Sequence, residues 1–172
     1  MKIIEIKVLR GPNFWSVRRT KLIQLKLDLE AMEERPTNTI PGFKERLDKL
    51  MPTLYEHRCS EGHAGGFYER VIEGTWMGHV IEHIALELQT LAGMDTGFGR
   101  TRGTGVKGEY YVCFSYIEED AGVYAARAAV RVAQALIDDK PYELNEDIMR
   151  MREIREDTRL GPSTGCIVEE AA

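Results

Sequence analysis

The segment from residue 76 to about 92 places the strongest constraint on how this chain folds. Trp76, Met77, Val80, Ile81, Ile84, Ala85, Leu88, Leu91 and Ala92 are spread over most of the circumference of an α-helix. A helix that is apolar nearly all round has to sit inside the fold, with other elements packed about it. Thr75 is placed to cap its start and Gly93 to end it. The rest of the chain supplies the covering layers. Residues 2–9 are rich in Ile and Val and stop at the Gly11-Pro12-Asn13 turn signal. Over 22–30, Ile23, Leu25, Leu27 and Leu29 alternate with Gln24, Lys26, Asp28 and Glu30, the period of a strand with one wet face.

Phe43, Leu47, Leu50 and Leu54 recur at helical steps, with Pro52 as an interruption. A short helix is expected over 67–73. The glycine-rich stretch 95–108 is expected to be a long loop, and 109–117 a strand. Helices are expected at 120–137 and roughly 143–158. The resulting order predicts an α+β fold, a small and mainly antiparallel sheet with helices packed on one face. One of those helices is the buried one at 76–92.

Composition narrows the function. The net charge of −5 argues against a general nucleic-acid surface. No run of about 18 apolar residues, as a membrane span requires, is present, and no secretory leader pattern is seen. Cys59, Cys113 and Cys166 are odd in number and widely spaced, so they read as free thiols in a reducing cytoplasm.

The chemistry concentrates in His79-Val80-Ile81-Glu82-His83. At about 100° per residue, His79 and His83 lie about 40° apart and one turn from each other, with Glu82 about 60° to the other side of His79. Two imidazoles so placed suit a Zn²⁺ ion, and the neighbouring carboxylate suits a general base. HxxEH is the inverted form of the HExxH zinc-peptidase motif. A metal-free, hydrogen-bonded polar cluster is the alternative. The third ligand is not fixed by spacing. Glu118 or Glu119 is expected to supply it, with Glu73 a weaker choice, although the acidic run also suits a helix N-terminus. His57 and His63 read as surface residues.

Arg10, Arg18 and Arg19 are interleaved with Phe14 and Trp15, and Arg100 and Arg102 stand among glycines. Guanidinium groups and glycine backbones suit carboxylates, so both segments are candidates for gripping an acidic chain. Solvated charge and local salt bridges are the alternative. The glycine loop lacks the GxxxxGK[ST] spacing of a nucleotide loop.

Several long motifs resemble the N-terminal region of cyanophycin synthetases: RGPNFWSVRR (10–19), LDLE (27–30), IPGF (40–43), GGF (65–67), EGTWMGHVIEHIALELQTLAGM (73–94), GFGRTR (97–102) and AGVYAARAAVRV (121–132). LGPSTGCIVEEA (160–171) resembles the start of the ATP-grasp domain that follows in that family. The resemblance implies an N-terminal domain over 1–160 and a linker over 161–172. It further implies a larger cytoplasmic, homo-oligomeric ligase that builds an Asp-Arg polymer. ATP and Mg²⁺ would serve only its ATP-grasp and Mur-ligase-like domains. The N-terminal domain would hold the polymer and, in some members, cut it at a zinc site to make primers. On that basis His79 and His83 bind metal, Glu82 is catalytic, and the five arginines hold substrate. The run GTWMGHVIEH also resembles the motif helix of pitrilysin-type inverted zinc peptidases. A domain that holds polymer or supports assembly without catalysis is the alternative.

Overall fold

The computed structural model describes residues 1–12, 21–56 and 66–160. Four strands, β1 (Lys2–Leu9), β2 (Leu22–Asp28), β3 (Gly99–Gly103) and β4 (Glu109–Ser115), form one sheet in the order β1-β2-β4-β3. Every neighbouring pair is antiparallel. The α+β architecture is the expected one, and the sheet is wholly antiparallel. The helices are α1 (Phe43–Leu50), α2 (Gly66–Glu73), α3 (Met77–Leu91), α4 (Glu119–Ile137) and α5 (Leu144–Leu160).

Alternation along β2 turns Ile23, Leu25 and Leu27 inward, and their register partners Phe114, Val112 and Tyr110 on β4 share that face. Both α3 and α4 rest there. Gly78 of α3 comes so close that an added Cβ would lie 3.1 Å from Thr101 and 3.6 Å from Val112. Gly122 of α4 approaches Tyr116 and Ile23 as closely. The helices therefore cover one face of the sheet, and α3 is the central one. All of its residues except His79, Thr90 and Leu91 are buried.

The starts and ends of the helices follow local chemistry. Glu118 caps α4, its carboxylate accepting from the Ala121 N–H at 2.9 Å. The last carbonyls of α3 are met by α5, with Arg152 donating to Leu91 O at 3.0 Å and Arg155 to Ala92 O at 3.3 Å. α5 is fastened to α4 through Asp147, which accepts from Tyr124, Arg131 and Tyr142.

Two expectations are corrected. The stretch 95–108 is not a continuous loop, because Gly99–Gly103 pairs with β4 along its whole length. Thr75 does not cap α3. The flanking residue is Trp76, which makes no capping bond through its side chain, and the Thr75 hydroxyl is engaged elsewhere. Cys113 is a buried free thiol, whereas Cys59 and Cys166 lie outside the described residues. No helix among the described residues is long and apolar enough to cross a membrane.

Candidate metal centre

His79, Glu82 and His83 come together on α3, with one potential ligand atom from each lying within 4.8 Å of the others. The two imidazoles face each other through their Nε2 atoms at 3.1 Å. Glu82 Oε2 is 3.8 Å from His83 Nε2. Glu82 and His83 are almost fully buried, while His79 sits half-buried at the outer end of the group. The helical spacing of the motif accounts for this convergence.

Neighbouring elements fix each side chain. Phe67 of α2 stacks on the His83 ring, with centroids 4.1 Å apart and planes 27° apart, and meets His79 edge-on at 5.2 Å. The Thr75 hydroxyl lies 3.0 Å from His79 Nδ1. The Thr101 hydroxyl of β3 donates to Glu82 Oε1 at 2.8 Å. Gly99, two residues earlier on the same face of β3, leaves room for the carboxylate. A Cβ there would lie 2.5 Å from Glu82 Oε2. Burial, and then the nearby charge of Glu82, pushes the Cys113 thiol well above its usual range.

This donor set fits a zinc ion. Two imidazole nitrogens are ligand types zinc takes, and the carboxylate beside them can serve as a base next to the ion. A nitrogen–nitrogen separation of 3.1 Å is close to what two bonds of about 2.0–2.1 Å span at a tetrahedral centre. Among the described residues no other His, Cys, Asp or Glu joins the group.

The remaining sequence candidates are dispersed. Glu118 is occupied as the cap of α4, and Glu119 pairs with Arg10. For either glutamate to become the third ligand, it would have to exchange its present partner. Glu73 is exposed at the end of α2. Arg18, Arg19, His57 and His63 lie outside the described residues. Arg100 and Arg102 are set by the pleat of β3. Since Thr101 faces Glu82 and α3, its neighbours point to the opposite face, opposite Cys113 and Tyr111 in register. Arg100 lies over the Phe98 ring, 5.5 Å from its centroid, and Arg102 donates to Thr101 O at 2.8 Å. The contributions of Phe67, Thr75, Gly99 and Thr101 were not anticipated. The threonine four residues before His79 was the one signal the sequence offered for them.

An antiparallel sheet carrying a buried helix with a converging His-Glu-His group defines a domain with a candidate metal centre. Residues 24–138 match the model of the cyanophycin synthase-like N-terminal domain, and the chain belongs to that family. It is 55% identical to cyanophycin synthetase of Geminocystis herdmanii and 55% identical to that of Synechocystis sp., in each case over 99% of this chain and 20% of the relative. Cyanophycin synthetase of Crocosphaera subtropica is 52% identical over the same shares. The chain thus spans about a fifth of the length of the curated relatives it matches.

Proposed function

We propose that this domain holds an Asp-Arg polymer of the cyanophycin kind and hydrolyses it at the His79–Glu82–His83 group, releasing shorter chains that act as primers. The observation that carries the reading is the convergence of two imidazoles and a carboxylate on one face of a largely buried helix. His79 and His83 would hold the zinc. A zinc ion supplies Lewis acidity, which acidifies water and polarises an amide carbonyl. Glu82 is the general base. It takes a proton from the attacking water and returns it to the leaving nitrogen, so that one amide and one water become a carboxylate end and an amine end. Thr101 holds Oε1, which fixes the carboxylate while Oε2 faces the histidines. Phe67 keeps both rings from turning.

Arg100 and Arg102 serve as a hold for the polymer's carboxylates at a distance from the reaction, because they project from the other face of β3. Tethering of that kind raises the local concentration of a long substrate without any new contact at the scissile bond. Arg10, tied to Glu119, can join only by releasing that partner.

The same placement of the arginines favours a second reading, in which the domain holds polymer without cutting it. One pair of variants separates the two. In the hydrolase reading, purified chain contains zinc and shortens cyanophycin, Glu82→Gln retains polymer but does not shorten it, and Arg100→Ala/Arg102→Ala weakens retention. Equal shortening by wild type and Glu82→Gln eliminates the hydrolase. Retention by wild type with neither zinc nor shortening establishes the holder.

A further inference from the structure

The sheet ends at β3, and β3 is the strand whose Thr101 touches Glu82. In an antiparallel ladder, alternate residues turn their N–H and C=O toward the neighbouring strand, and the residues between turn them outward. Two bonds just beyond the ends of β3 fix which residues do which. Ser115 N donates to Phe98 O at 2.9 Å, and Thr104 N donates to Glu109 O at 3.1 Å. Residues 98 and 104 therefore bond toward β4, and by alternation so do Arg100 and Arg102. Thr101 and Gly103 turn their backbone groups to the outer edge. The bond from Arg102 Nη1 to Thr101 O, 2.8 Å long, reports that outward direction, and a carbonyl keeps a second lone pair for another donor.

That edge is accessible. No strand among the described residues pairs with β3 on its outer side. Gly103 is exposed, has no side chain to shield its own N–H, and an added Cβ would meet nothing within 4 Å. The opposite edge of the sheet, β1, has β2 and β4 between it and β3. Of the two edges, only the β3 edge adjoins the candidate metal centre.

A strand edge is recognised by another extended backbone. The spacing of charge says which one. Arg100 and Arg102 stand two residues apart on one face of β3, about 6.8 Å along the strand. An extended chain laid beside β3 turns every second residue to that same face at the same interval. In an Asp-Arg polymer every residue bears the same charged side group, so both arginines meet a carboxylate in any register. The polymer residues between face the side on which the Thr101 hydroxyl donates to Glu82 Oε1 at 2.8 Å.

We propose that the outer edge of β3 is the polymer's docking strand. The extended backbone of the Asp-Arg chain pairs with Thr101 and Gly103 and runs past Glu82, with alternate side groups on Arg100 and Arg102. The inference rests on the polymer-holding reading above and adds where, and in what conformation, the chain is held.

The test is amide hydrogen exchange, read by NMR on Glu82→Gln chain so that substrate stays intact, with and without a synthetic Asp-Arg oligomer. Without oligomer the Thr101 and Gly103 amides should exchange fast, and those of Arg100 and Arg102 slowly. Saturating oligomer should slow Thr101 and Gly103 by about 10-fold or more. Gly103→Pro removes one edge donor and no bond to β4, a substitution that edge strands accept. It should weaken oligomer retention about 5- to 10-fold, the usual worth of one hydrogen bond, whereas Gly103→Ala keeps the donor and should stay within about twofold of wild type. The exchange measurement needs no change in β3 and stands even if the proline variant fails to fold. Unchanged exchange at Thr101 and Gly103 under saturating oligomer would overturn the proposal, as would equal retention by folded Gly103→Pro and wild type. Slowing that needs no oligomer and grows with protein concentration would give the edge to a second copy of the chain, and overturn it too. Failure of the hydrolase reading looks different, with polymer left uncut by wild type while both amides are still slowed. An oligomer that does not bind at all overturns the docking strand and the polymer-holding reading together.

Discussion

Two buried polar groups in this domain are built on opposite principles. Between α4 and α5, the Asp147 carboxylate accepts from Tyr124 Oη at 2.6 Å, from Arg131 Nη2 at 3.1 Å and from the Tyr142 hydroxyl. Three donors surround one acceptor, and the group is complete with protein alone. On α3, two imidazoles and a carboxylate converge, with the hydroxyls of Thr75 and Thr101 attached at the rear. The first arrangement locks two helices together. The second groups three side chains of the kinds that hold a metal ion, so it is the kind of donor set, and not burial alone, that makes a polar cluster a candidate site.

The sharpest test of this contrast sets Glu82→Gln beside Asp147→Asn. On the proposed function, Glu82→Gln lowers the rate of polymer shortening by about 10²–10⁴-fold, the usual contribution of a general base. Its urea midpoint should stay near that of wild type, and Asp147→Asn should do the reverse. Similar stability losses in both would erase the distinction. Next in size, Asp147→Ala leaves two phenols and a guanidinium without their shared acceptor. It should cost about 3 kcal/mol in urea unfolding, as loss of hydrogen bonds to a charged group implies, with Zn²⁺ affinity unchanged.

A smaller effect probes the floor of the α3 group. Gly99→Ala drives a methyl against Glu82 and should cost about 1–3 kcal/mol, as overpacking does. Gly97→Ala meets nothing within 4 Å and serves as the control. Equal unfolding midpoints for the two variants would show that Glu82 moves aside freely.

The smallest effect is a pH dependence at Tyr142. Burial, followed by the hydrogen bond to Asp147, pushes the Tyr142 phenol up to about 12. Its unfolded value is about 10, so the folded state holds this proton more tightly. The stability it contributes is fully present below pH 10 and is lost as pH rises through about 12. Tyr142→Phe should therefore lose less stability than wild type across that window in alkaline denaturation. Parallel curves would place the alkaline sensitivity elsewhere.

Much of the frame was legible in the sequence. The alternation of Ile23, Leu25 and Leu27 with polar neighbours named both faces of β2, and the spacing of His79, Glu82 and His83 named one helical face. What stayed hidden depends on partners distant along the chain. Gly-Arg-Thr-Arg-Gly has little strand propensity of its own, and β3 exists because β4 offers it a ladder. With the strand unseen, neither the contact of Thr101 with Glu82 nor the turning of Arg100 and Arg102 to the opposite face could be read. Phe67 was visible only as a helix residue, because nothing local ties it to rings twelve and sixteen positions later. Thr75 looked like a cap because threonine before a helix usually is one, but its hydroxyl turned to His79 instead.

The two-sidedness of β3 bears on how this stretch can change over generations. Swapping one side chain for another disturbs one side of the strand only. Deleting or inserting a single residue ahead of Thr101 would exchange the sides, presenting an arginine to Glu82 and sending the threonine outward. Lineages carrying this domain should therefore vary in spelling across 99–103 far more readily than in length, and length changes that persist should come in twos.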